Sequence, residues 1–208
     1  MARRATRRRT TPRPRRRAAA QDPIDAALAL AAARPWRNVS FADIAARAGT
    51  DEAALRRAYR SKWAILDAFV RRIDDAVAAG TAPDSDKEPI RDRLLDALLR
   101  RFDLLAPHKV AIASIARDTA MMPPAALCAS LRVVRSMARM LEDSGVGARG
   151  PCGLLRAKAM AAIYLSSLWV WLNDDDPEMA RTMAHLDRRL NEAERLARLC
   201  EAFSLKRA

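Results

Sequence analysis

Four cationic side chains, Arg56, Arg57, Arg60 and Lys62, crowd one short stretch, FADIAARAGTDEAALRRAYRSKWAIL, from Phe41 to Leu66. A guanidinium offers parallel N–H donors that match the O6 and N7 acceptors of guanine, or two oxygens of a phosphate. Arg57 suits the first role; Arg56, Arg60 and Lys62 suit the second. Ala53 and Ala54 face the same way, and Ser40 and Tyr59 flank the group, which makes Ser40, Ala53, Ala54, Arg56, Arg57, Tyr59, Arg60 and Lys62 the candidate DNA contacts. A local reading competes: Glu52 and Arg56 are spaced i, i+4 and can satisfy each other.

Such side chains act together only if short helices hold them. Ile44, Ala45 and Ala48 share one face of a helix predicted from Phe41 to Ala48, opened by a capping box of Ser40 and Asp43 and stopped at Gly49. Asp51 caps a following helix from Glu52 to Tyr59, on which Leu55 and Tyr59 point back at the first. Ala45 permits close approach, and Gly49 takes the left-handed turn. Two crossed helices joined this way form a helix-turn-helix, whose second helix lies in the major groove.

The remaining elements follow the same grammar. Asp22-Pro23 begins a helix that carries Ile24, Ala27, Leu28 and Ala31 on one face up to Arg34-Pro35. Ser61 caps a helix from Lys62 towards Gly80, and TAPDSDKE, residues 81–88, is the linker-like stretch beyond it. Helices are then predicted from Pro89 to Leu105, His108 to Ala120, after Pro123-Pro124 to near Gly145, and Gly153 to Leu172, with a last one from Asp176-Pro177 to about Phe203. About nine helices result, in an all-α chain. Composition agrees: 208 residues, half hydrophobic, 5% aromatic and six glycines.

The net charge is +13, and nine arginines (Arg3, Arg4, Arg7, Arg8, Arg9, Arg13, Arg15, Arg16 and Arg17) precede the first acidic residue, Asp22. Residues 1–21 read as a basic arm that either binds a polyanion or stays a solvated leader. An arm just before a helix-turn-helix can enter the minor groove. No apolar stretch follows the arginines, and Pro12 and Pro14 interrupt an amphipathic transit helix. The longest apolar run, Ala159 to Leu172, falls short of the roughly 20 residues of a membrane span. A soluble cytoplasmic protein is expected, with Cys128, Cys152 and Cys200 as reduced thiols.

From Ile24 to Phe69 the sequence resembles the tetracycline-repressor (TetR) family of transcriptional regulators, through F-A-D-I-A-A-R-A-G followed by L-x-x-x-Y-x-S-K. The resemblance implies a DNA-binding domain over 22–68 and a helical domain over 69–208 that carries a ligand pocket and a homodimer interface. It implies a repressor of a palindromic operator, released by a hydrophobic effector. Family members usually place a small apolar residue and then a Ser or Thr cap after the turn glycine. Thr50-Asp51-Glu52 stands there instead, while Arg56 occupies a usual aromatic position and Ala54 a frequent hydroxyl position.

In the second domain the helix from Ala159 to Leu172 is apolar almost all round, so two surfaces must cover it, either both internal or one a second subunit. The expected interface residues are Ala157, Ala161, Leu165, Leu168, Leu186 and Leu190, with Ala162 and Ser166 also small enough for close crossing. Met121, Met122, Met137, Met140, Tyr164 and Trp169 are candidates for a hydrophobic pocket, together with Met160 and Trp171, and core packing is the alternative. From Trp169 through Asp174-Asp175-Asp176 and Thr182 to Leu190 the chain is similar to ubiquinone-biosynthesis accessory proteins, lipid binders of the same fold. That similarity implies a rival function, an isoprenoid carrier that no longer reads DNA.

Catalysis finds no constellation in the sequence. His108 and His185 are far apart, and Asp176 in the aspartate run reads as a helix cap rather than part of a metal site. Neither cofactor nor metal is implied.

Overall fold

The computed structural model describes residues 21–80 and 87–205, with side chains to residue 197. Along the chain the α-helices are α1 (Pro23–Ala33), α2 (Phe41–Ala48), α3 (Glu52–Ala58), α4 (Lys62–Ala79), α5 (Ile90–Leu105), α6 (Lys109–Ala120), α7 (Pro123–Asp143), α8 (Gly150–Leu172) and α9 (Ala180–Leu205). Short 3-10 turns at Trp36–Asn38 and Ala106–His108 join α1 to α2 and α5 to α6. There is no strand among the described residues. The basic arm and most of the 81–88 linker lie outside them.

The predicted caps of the first four helices form. Asp22 accepts from the Ile24 amide at 3.0 Å. Ser40 and Asp43 close a reciprocal capping box, and Asp51 and Ser61 each accept the amide three residues on. Gly49 adopts φ +69°, the left-handed region where a Cβ would strain the chain. These three-residue contacts order the head locally, and Ile44, Leu55 and Ile65, all buried, then pack it together with Ile24, Leu28 and Trp36. Burying each such side chain contributes about 1.5–3 kcal/mol.

α4 leaves this head and enters the body, where Phe69, Ile73 and Val77 meet buried residues of α5 and α7. Ion pairs fasten it there: Asp67 to Arg132 and Asp75 to Arg139 on α7, and Asp74 to the buried Arg101 on α5. Ser136 on α7 also donates to Asp74, at 2.7 Å. Phe102 stacks on Tyr164 at 5.8 Å and meets Trp171 at 5.4 Å between ring centroids, which joins α5 to α8.

Two predicted boundaries shift. α8 begins at Gly150, three residues before Gly153, with Pro151 in its first turn. α9 begins at Ala180 rather than at Asp176-Pro177. Asp176 caps a tight turn instead, accepting from Glu178 N, and Met179 takes φ +52°. The buried Asp174 reaches eight residues forward to the amide and hydroxyl of Thr182, and so fixes the first turn of α9 from further upstream.

Candidate nucleic-acid interface

α3 stands on the head with Leu55 driven into the core and Ala53, Arg57 and Arg60 exposed beyond it. Arg57 and Arg60 make no hydrogen bond or ion pair among the described residues, and neither does Arg47 on the last turn of α2. Ala54 and Tyr59 are half-buried, with Tyr59 packed against the core. Ser40 is exposed, but its hydroxyl is engaged with Asp43 in the capping box. Those hydrogen bonds, first from the side chain and then from the backbone of Ser40, hold the Asp43 carboxyl below its ordinary pKa.

Arg56 points elsewhere. Its Nε donates to Glu52 at 2.9 Å, and its guanidinium lies 4.9 Å from the centroid of the Phe41 ring. A cation thus lies over the Phe41 ring. Of the two carboxylates that begin α3, Asp51 caps it and Glu52 holds Arg56, so both are spent inside the head.

Lys62 corrects the sequence-based expectation more sharply. Its ammonium donates to the carbonyls of Trp36 and Val39, each at 2.9 Å, and lies against the rings of Trp36 and Trp63. Burial lowers its pKa, partly offset by the charge of Asp118. Two of its three donors are consumed by the connection between α1 and α2, which converts a predicted phosphate contact into an internal clamp. The partners lie 26 and 23 residues away in the 36–39 turn, too distant for local spacing to show them.

Arg47 stands outside the predicted contact set. It is exposed on the last turn of α2, at the edge of the face formed by Ile44, Ala45 and Ala48.

Residues 24–69 match bacterial regulatory proteins, tetR family. The chain is similar in structure to a TetR transcriptional regulator from Nitrosomonas europaea ATCC 19718, with TM-score 0.64, 24% identity and coverage of 83% of this chain and 95% of that one. The chain has the TetR fold. A TetR regulator from Rhodococcus sp. RHA1 is also similar, with TM-score 0.57, 21% identity and coverage of 81% and 91%. A third, from Streptomyces coelicolor, gives TM-score 0.50 at 20% identity over 83% and 82%. Residues 156–197 match the COQ9 family. No curated protein matches the chain.

Within this TetR fold the other predicted residues sort by burial. Ala157, Ala161, Leu168, Leu186 and Leu190 are buried within the single chain, where they join α8 and α9 to the core, and Leu165 is half-buried. On α8 Leu155, Ala159, Ala162 and Trp169 are exposed along one stripe, and on α9 Met183 and Leu196 are exposed. The pocket set also divides. Met137, Met140 and Tyr164 are core residues, as are Met160 and Trp171, whereas Met121, Met122 and Trp169 are exposed. Met121 and Met122 stand in the turn between α6 and α7, exposed and apart from the buried members of the set.

Among the described residues no helix is long and apolar enough to cross a membrane, and no cluster of three potential metal-binding side chains occurs.

Proposed function

We propose that this protein is a DNA-binding transcriptional regulator of the TetR type, acting as a homodimeric repressor on a palindromic operator. The observation that carries the reading is the outer surface of α3, where Ala53, Arg57 and Arg60 are exposed and both guanidinium groups lack partners among the described residues. Donors left unspent on a recognition helix are what direct readout of guanine and contact with phosphate require. The family match over residues 24–69 and the fold support the same reading. Arg57 is assigned to base readout, Arg60 and Arg47 to phosphate. A second copy covers the apolar stripe of α8 and sets two recognition helices one turn of DNA apart, about 34–36 Å.

The isoprenoid-carrier reading draws on the COQ9 match but lacks a lining, since three of the six pocket candidates face outward. The deciding experiment is selection of bound fragments from randomised duplex DNA at low salt with the full chain. A palindromic consensus containing guanine, with binding weakened by Arg57→Ala, is the expected result; no enriched sequence removes the proposal.

A further inference from the structure

At the junction of head and body, the end of α1 and the length of α6 enclose an open groove of about 390 Å³, within the roughly 300–1,000 Å³ span of small-molecule sites. Part of its lining is apolar, from Ala32, Ala33, Ala113 and Val110, and Val110 is 66% exposed on a helix that otherwise packs against α1. The rest is cationic: Arg34, Arg37 and Arg117 share it with one carboxylate, Asp118.

The hydrogen bonds show which of these charges are already used. Asp118 accepts both the backbone amide and the guanidinium of Arg37, each at 2.8 Å, so that pair is closed. Arg34 reaches Asp43 through one terminal nitrogen at 2.6 Å, but its Nε is buried and makes no hydrogen bond. Ser114 is occupied by the Trp36 amide and the Arg34 carbonyl. Arg117 is exposed and forms no ion pair or hydrogen bond among the described residues; its charge is felt by Asp118 but not matched by it. What remains unspent at the groove surface is the fork of Arg117, with the partly exposed guanidinium of Arg34 also in the lining, beside an apolar wall. A guanidinium fork suits a planar carboxylate or a phosphate, and the wall suits a hydrocarbon body rather than an inorganic ion.

We propose that this groove binds an amphipathic anion, with its carboxylate or phosphate head on Arg117 and Arg34 and its apolar body against Ala113 and Val110. The site is separate from the helical core, where a hydrophobic effector was sought, and the inference does not depend on DNA binding.

The test is calorimetric titration of the full chain with octanoate, octyl phosphate and, as the uncharged control, octanol. One saturable site per chain is expected for at least one of the anions, with octanol weaker by about tenfold or more, and the tighter anion names the head group. Arg117→Ala, an exposed change that leaves the fold intact by circular dichroism, is expected to weaken the anion by about tenfold. Ala113→Trp is expected to abolish binding by filling the groove. Absence of saturable binding at millimolar ligand overturns the proposal, as does equal affinity for octanol or affinity that Arg117→Ala leaves unchanged. Should Ala113→Trp fail to fold, the Arg117 variant and the octanol control still decide the matter.

Discussion

The ammonium of Lys62 lies 4.8 Å from the centroid of the Trp36 ring while donating a 2.9 Å hydrogen bond to the carbonyl of the same residue. Together with its bond to Val39, this pins the 36–39 turn from the α4 side, and Ser114 and Asp118 of α6 pin the turn and its neighbours from the other. Lys62→Met removes the donor from the Val39 carbonyl and one of two donors from the Trp36 carbonyl, which also accepts the Val39 amide, so stability is expected to fall by about 1–3 kcal/mol. The salt dependence of DNA binding should stay the same, whereas a lost phosphate contact would reduce the slope by about 0.9. Urea unfolding and binding measured over a salt series distinguish the two roles.

Gly153 is fixed by space rather than by φ. A Cβ there would lie 2.1 Å from the carbonyl carbon of Ala148, and backbone cannot swing aside as a side chain can. Gly153→Ala is expected to cost about 1–3 kcal/mol or more. Gly49→Ala, at φ +69°, costs about 1–2 kcal/mol for a different reason, the left-handed backbone. Urea midpoints with unchanged slopes check both.

The exposed stripe on α8 predicts assembly. Leu155 is 69% and Trp169 49% exposed, with Ala159 and Ala162 between them on one face. The wild-type chain should sediment as a dimer. Leu155→Glu places an unpaired carboxylate in that interface and is expected to raise the dimer dissociation constant by roughly a hundredfold or more. A wild-type monomer, or a variant that dimerises equally well, refutes the assignment.

His185 supplies a pH dependence. Its Nε2 meets the Ser166 hydroxyl and its Nδ1 meets Arg188, each at 3.2 Å. Burial, then Arg188 and Arg189, hold its pKa below the ordinary value, against a smaller opposing effect of Glu192. Because the unfolded chain takes up the proton more readily, stability is greatest above about pH 6.5 and declines as pH falls through that value. His185→Gln should flatten the difference between about pH 7 and pH 5, read from thermal midpoints.

What the sequence disclosed was the local part of the fold. Asp22 with Ile24, Ser40 with Asp43, and Gly49 act over two to four residues, and those helix ends fall where they were expected. Contacts between distant residues were hidden. The direction of Lys62 depends on Trp36, and the start of α9 depends on Asp174 meeting Thr182. α8 is apolar almost all round, so periodicity could not say which side faces inward. Ala157 and Ala161 turned out to be core, while Ala159 and Ala162, of the same type, face solvent. In the candidate site, Arg57 and Arg60 were legible from spacing, but Arg56 was decided by Glu52 and Phe41 together.

Ala53, Arg57 and Arg60 are exposed, and among the described residues neither arginine makes a hydrogen bond or ion pair, while the clamp on residues 36–39 is built from other side chains altogether. Exchanging these three should therefore change folding stability by no more than about 0.5 kcal/mol. On the proposed function, a surface arranged in this way can have its DNA contacts altered, by natural drift or at the bench, without the protein first being made more robust.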